Sequence, residues 1–307
     1  MIGIYGANGF IGRHLIARLV SRKLPVRAVS RHIGTDLIDR FPKGVDFLEG
    51  DIQDSFTMAS SLQGVQTIVQ LISTSSPGLQ NRYNVLDIRD NVIPHVEFLQ
   101  SAILAGVKKY IFISSGGTVY GPGAKTPIRE DAPTNPISSH GLTKLAIEKY
   151  LQMHGYVDDL NYVILRVANP FGPGQAFRKG QGLIPAVLSR YSLGQPVQII
   201  GDGRAQRDYI FIDDVIDAIE ASIARETAHK VIINVGSGRA RSILEVVDAM
   251  ESVLGFRFER EFVLSRKTDV DVNVLDIRRA RQLLDWAPKT DFRQGLAETL
   301  LDAVKMS

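Results

Sequence analysis

The feature that most constrains this chain stands at its start. A short apolar run, Ile2-Gly3-Ile4-Tyr5, leads into Gly6-Ala7-Asn8-Gly9-Phe10-Ile11-Gly12. An amphipathic stretch follows, with Phe10, Ile11, Leu15, Ile16, Leu19 and Val20 at helical spacing, which predicts a helix over 10–22. Strand, glycine turn and helix in that order form a phosphate cradle. Gly6 permits the tight turn, Gly9 lets backbone amides approach a pyrophosphate, and Gly12 lets the helix pack closely on the strand. The helix N terminus then faces the phosphates. A turn that merely needs glycines is the alternative.

The same alternation continues for about 160 residues. Strands are predicted at 26–29, 45–48, 67–72, 110–114 and 162–166, and helices at 54–62, 84–105 and 138–154. The run at 67–72 is continuously apolar rather than alternating, as in a parallel sheet covered on both faces. Right-handed crossovers and a doubly wound (Rossmann) α/β sheet follow.

After residue 168 the texture changes. Residues 169–182 are rich in Gly and Pro. Short strands near 197–200, 209–211, 231–234 and 257–262 mix with helices near 183–193, 213–225, 243–254, 278–284 and 292–304. The expected organisation is a dinucleotide-binding domain over 1–168, with returning segments near 202–240. It is interleaved with a smaller mixed α/β substrate domain over 169–307. The net charge of +3 is too mild to argue for nucleic acid or a membrane surface, and suits a small anionic ligand. There is no cysteine, which excludes disulfides and thiolate metal sites, and no metal is expected. Without a leader-like start or an apolar run of membrane-spanning length, a cytoplasmic protein is expected.

At the end of the second strand an acidic residue usually meets the ribose 2′-hydroxyl. Here Val29-Ser30-Arg31 supplies none. Arg31 could pair with a 2′-phosphate, which tilts the choice between NAD and NADP towards NADP; it could also stack on adenine or face solvent. Gly50-Asp51-Ile52 is placed to meet the adenine, although Asp51 could equally cap the next helix.

These motifs come in an order that resembles the extended short-chain dehydrogenase/reductase family, and within it the UDP-glucose (UDP-galactose) 4-epimerase branch. The resemblance spans nearly the whole chain. Besides the glycine loop and Gly50-Asp51-Ile52, it rests on Ile113-Ser114-Ser115-Gly116-Gly117-Thr118-Val119-Tyr120-Gly121, on the helix containing Lys144, and on Arg166 through Gln175. Gly201-Asp202-Gly203, Arg207-Asp208-Tyr209, and Arg266 with Asp269 complete it.

The resemblance implies a tightly bound NAD or NADP, a UDP- or other nucleotide sugar, and pairing into a homodimer through the helices near 84–105 and 138–154. It makes Lys144 the lysine that binds the nicotinamide ribose and lowers the pKa of a catalytic base. Asn91 supports the site, Leu71, Ile72 and Pro170 lie along the cofactor, and Ser73-Thr74 departs from the usual small alanines. Asn169, Leu183 and Tyr120 fall on the substrate side. Arg207, Arg266 and Asp269 resemble a clamp on the sugar nucleotide, and arginine forks suit phosphate oxygens bidentately. The family's usual Ser or Thr hydroxyl falls on Gly116, leaving Ser115 and Thr118 jointly as candidates. An acidic pair before Val119-Tyr120, expected of a dehydratase, is missing.

One position breaks the pattern. A tyrosine is expected four residues before Lys144, on the same helical face, and His140 stands there. Imidazole is shorter than phenol, and on accepting a proton it becomes a cation beside two others, whereas a phenolate becomes neutral. Three readings are open: a working base with altered pH dependence, an inactivating replacement in an otherwise intact epimerase, or a ligand binder without catalysis.

Overall fold

The computed structural model describes residues 1–41, 43–74, 84–175, 182–265 and 270–306. Six strands alternate with helices through the first 167 residues. The strands are β1 (Ile2–Tyr5), β2 (Val26–Ser30), β3 (Val45–Glu49), β4 (Thr67–Gln70), β5 (Lys109–Ser115) and β6 (Asn161–Val167). The helices are α1 (Phe10–Ser21), α2 (Thr35–Arg40), α3 (Ser55–Leu62), α4 (Asn84–Asp87), α5 (Ile93–Leu104) and α6 (Ser139–Val157).

Beyond them run β7 (Asn169–Phe171), α7 (Leu183–Ser192), β8 (Val197–Ile200), β9 (Gln206–Phe211), α8 (Ile212–Ala224), β10 (Val231–Val235) and β11 (Ala240–Ser242). The chain closes with α9 (Ile243–Leu254), β12 (Arg260–Val263), β13 (Val272–Asn273), α10 (Arg278–Leu284) and α11 (Phe292–Met306).

The central sheet has the order β10-β6-β5-β4-β1-β2-β3, and every pairing is parallel. This is the doubly wound Rossmann arrangement, with its order reversing beside β1. Both faces are buried, which explains the continuous apolar runs. Ile4, Ile111 and Val163 enter one core cluster, while Tyr5, Phe112 and Ile164 enter the other. Burying each such side chain contributes roughly 1.5–3 kcal/mol. A smaller mixed sheet, β11-β9-β13 with β7 on β9, and the pair β12-β8 lie outside it.

Two local features differ from the sequence expectation. Helix α2 falls where no element was predicted, since six residues with few apolar positions carry little periodicity. The long helix predicted over 84–105 is interrupted by a π-helical turn at Ile88–Val92. Pro94, next in line, has no amide to donate and its ring crowds the carbonyl four residues back, so the regular ladder cannot continue through it. The run predicted at 231–234 lies within the returning segments expected near 202–240. It is β10, the edge strand of the central sheet, paired with β6 from Val231↔Val163 to Val235↔Val167.

Candidate active site

The glycine loop crosses from β1 to α1 beneath the carboxyl edge of the sheet. Gly6 has φ +91°, which a larger residue adopts only with strain. A Cβ on Gly12 would stand 2.5 Å from the Gly6 carbonyl and 2.6 Å from that of Ala7, so only glycine admits this approach of helix to turn. Gly9 donates back to the Gly6 carbonyl at 3.0 Å, and no side chain caps the start of α1. The first amides, at Phe10 and Ile11, are thus available to an anion in the helix dipole. This cradle fits a dinucleotide pyrophosphate.

Neighbouring strand ends carry the other cofactor candidates. Leu71 donates to the Tyr5 carbonyl, and Leu71 and Ile72 stand against Gly6. Ser30 accepts from Gly50 while Arg31 is exposed. Asp51 is not the cap of α3: its carboxylate accepts from the Gln53 amide, and Asp54 caps the helix through Thr57. Ile52 is buried in the core beside Tyr5 and Val29.

Helix α6 begins where Ser138 accepts from the Gly141 amide at 3.1 Å. His140 lies in its first turn, buried. A Cβ on Gly141 would come within 2.8 Å of the Thr118 carbonyl, so this turn of α6 packs directly on the Ser115–Val119 turn. The Thr118 hydroxyl oxygen is buried and makes no hydrogen bond among the described residues. Ser115 is half-buried. Gly116 has no room for a longer side chain unless Leu275 moves, since a Cβ there would meet its Cδ1 at 2.6 Å.

Lys144 is 6% exposed. Its ammonium donates to the Ile113 carbonyl at 2.9 Å and sits 4.7 Å from the centre of the Phe112 ring. Burial pulls its pKa down to about 8, against the opposing pull of Glu148. Below that value it is charged, and the charge can hold a ribose hydroxyl and stabilise an oxyanion. Raising pH through 8 removes it, so dinucleotide affinity is expected to fall there. Stability moves the other way. A lysine whose folded pKa is depressed contributes stability above its unfolded pKa of 10.5, and loses it as pH falls through 8. Binding titrations and urea unfolding from pH 7 to 11, each compared with Lys144→Met, check both signs; a Lys144-dependent affinity flat across that range would refute the first.

Asn91 sits in the π turn and clamps Thr74. Its side-chain oxygen accepts from the Thr74 amide at 2.9 Å, and its amide donates to the Thr74 hydroxyl at 2.8 Å. Its carbonyl faces Nδ1 of His95 at 2.6 Å, which makes Nδ1 the protonated nitrogen. His95 is 2% exposed; burial and the nearby Lys144 push its pKa down to about 4, so it is neutral. Nothing in the sequence marked it beyond its place four residues after Asn91.

The substrate-side candidates separate. Asn169, Pro170, Leu183 and Arg207 line one cavity of about 800 Å³. Arg207 is held there by the carbonyls of Gln206 and Val270, and Asn169 by that of Asp208. Pro170, expected along the cofactor, thus also faces this cavity. A Cβ on Gly117 would lie 3.9 Å from both Asn169 Oδ1 and Ser115 Oγ, which puts the cavity wall next to the hydroxyl turn. Tyr120 is 1% exposed, donates to Asn234 at 2.6 Å, stacks under Arg166, and also lines a second cavity of about 520 Å³ with Pro127, Arg129 and Arg278. Arg266 and Asp269 lie outside the described residues.

A Rossmann sheet with a glycine cradle at its switch point, and a buried lysine on the helix after β5, defines a nicotinamide-dinucleotide-dependent enzyme of the extended short-chain dehydrogenase/reductase class. The chain belongs to the NAD dependent epimerase/dehydratase family, which it matches over residues 2–236. It is 30% identical over 303 residues to the dTDP-4-dehydro-6-deoxyglucose reductase of Escherichia coli, covering 95% of this chain and 94% of that protein. It is 32% identical over 308 residues to the UDP-glucose 4-epimerase of Mycolicibacterium smegmatis, covering 97% and 96%. Among solved structures, the UDP-glucose 4-epimerase of Thermotoga maritima with UDP-glucose superposes with a TM-score of 0.92 at 30% identity, covering 99% of both chains.

Proposed function

We propose that the protein is a nucleotide-sugar 4-epimerase-type enzyme in which His140 stands where the catalytic tyrosine is expected. When bound, the oxidised nicotinamide supplies the acceptor for the C4 hydride and gives it back. The chain's own groups do the rest. The side chain at position 140 takes the O4 proton, with Thr118 and Ser115 holding that oxygen. The resulting 4-keto sugar would turn over in the cavity, and the side chain at position 140 would return the proton to O4 on the opposite face. Arg207 fixes the diphosphate by its charge. The observation that carries this reading is the position of Gly117 between Ser115 and Asn169, which joins the groups beside Lys144 to the Arg207 cavity.

A second reading, an NADP-dependent keto-sugar reductase, is favoured by the E. coli relative and by Arg31 at the end of β2, where the Glu49 carboxylate is already held by the Ile33 amide at 2.6 Å. One experiment separates the two. UDP-glucose added to the protein carrying oxidised cofactor is expected to give reduced-nicotinamide absorption and UDP-galactose. Neither signal, with consumption of NADPH by a 4-keto sugar nucleotide, would replace the epimerase by the reductase.

A homodimer through the 84–104 and α6 helices is part of the proposal. Val85, Ile88, Leu142, Met153 and Tyr156 are exposed on these helices, and Tyr156 is 92% accessible. A sedimentation mass of one chain would sink it. No helix among the described residues is long and apolar enough to cross a membrane; a cytoplasmic location is proposed on the small charged substrates and cofactor alone, and cell fractionation tests it.

A further inference from the structure

The end of β2 lacks a carboxylate, yet one stands a few residues further on. Asp36, in the first turn of α2, forms an ion pair with Arg13 of α1. Arg13 is in turn fastened to the glycine loop. Its guanidinium donates to Asn8 Oδ1 at 2.6 Å and 3.1 Å, and to the Asn8 carbonyl at 3.3 Å. The pair therefore bridges the phosphate loop and the segment leaving β2. In this fold the adenosine ribose lies between those two elements. The chain is shaped to keep the carboxylate there: a Cβ on Gly34 would lie 2.3 Å from Asp36 Oδ1 and 3.3 Å from Arg13 Nη2. Both side chains are open to a ligand, with 36% of Arg13 and 66% of Asp36 exposed.

Resting on the reading of the loop as a dinucleotide cradle, we propose that Arg13 and Asp36 read the 2′ position of the cofactor's adenosine ribose. Asp36 accepts a hydrogen bond from the 2′-hydroxyl of NAD, in place of the acid missing from β2. It also holds Arg13, whose fork would otherwise suit the 2′-phosphate of NADP, and its own charge repels that phosphate. A surface ion pair with no ligand role would be worth little to folding and nothing to cofactor choice.

The test is a pair of dissociation constants, for NAD and NADP, measured by calorimetry on the whole protein, on Asp36→Asn and on the double variant Arg13→Ala/Asp36→Asn. Asp36→Asn is expected to weaken NAD and tighten NADP, moving their ratio by about tenfold or more, the scale of one charge-assisted hydrogen bond. The double variant is expected to lose the gain in NADP affinity. An unchanged ratio in Asp36→Asn would overturn the proposal, as would a gain that survives loss of Arg13. If the unsubstituted protein binds neither dinucleotide, the cradle reading itself fails, and this proposal with it.

Discussion

Replacing His140 with tyrosine is expected to raise 4-epimerase turnover by at least about 10²-fold, the scale of regaining a positioned general base. Position 140 lies one helical turn before Lys144 and next to Gly141, which packs against the Thr118 carbonyl. A phenol reaches roughly 2 Å further than imidazole, and a misplacement of about 1 Å can cost about 10²-fold. Charge favours the phenol as well. Lys144 is cationic below about pH 8 and lowers the pKa of a neighbouring phenol. The substitution is at a buried site already holding an aromatic ring, so dinucleotide affinity should change little. Measured affinity separates a base effect from a binding effect; equal turnover in the two proteins would show that His140 is itself a competent base.

The largest expected loss of stability comes from Glu148→Gln. Glu148 is fully buried one turn beyond Lys144, and it accepts from Arg166 through both carboxylate oxygens and from the Ser114 hydroxyl. Arg166 is itself 2% exposed. Removing one member of a buried pair leaves the other charge without compensation and costs about 3–5 kcal/mol. The comparison with Glu148→Gln/Arg166→Met isolates the cause. Replacing both charges is expected to recover part of the loss, since a buried pair and well-packed neutral residues are often nearly equivalent. Urea unfolding measures each; a loss below about 1 kcal/mol in the single variant would mean that water reaches the pair. Function follows the same wire. Glu148 opposes the burial effect on Lys144, so its neutralisation should draw the lysine's pKa down further and narrow the pH range of cofactor binding.

The central sheet and its phosphate cradle were readable because their signals are local. A buried parallel strand is a continuous apolar run, and a glycine triplet between strand and helix has few other uses. Lys144 was readable through the resemblance of the ordered motifs, and helical spacing then put position 140 on its face. What the sequence withheld depends on partners far along the chain. Val231–Val235 falls within the returning segments expected near 202–240, but its strand partner β6 is seen only in the fold. Tyr120 precedes a glycine in a turn, and the partner of its buried hydroxyl, Asn234, stands 114 residues later. Asp36 is one acid among many until Arg13 and the gap over Gly34 give it a direction. His95 reads as a lone polar residue on an apolar helix, and only the Asn91 carbonyl and Lys144 give it surroundings.

The place of β10 at the sheet's edge bears on how the chain is made. The six strands before it emerge in order, but β6 ends at Val167 and its outer neighbour ends at Val235. At bacterial-type synthesis speeds of about 5–20 residues per second, that separation is roughly 3–14 s. During that interval β6 is an unpaired edge, and Arg166 lacks the roof that Tyr120 gains from Asn234. Nascent chains stalled between the two strands, with this edge of β6 uncovered, are therefore expected to be cut by protease more readily than those stalled beyond β10.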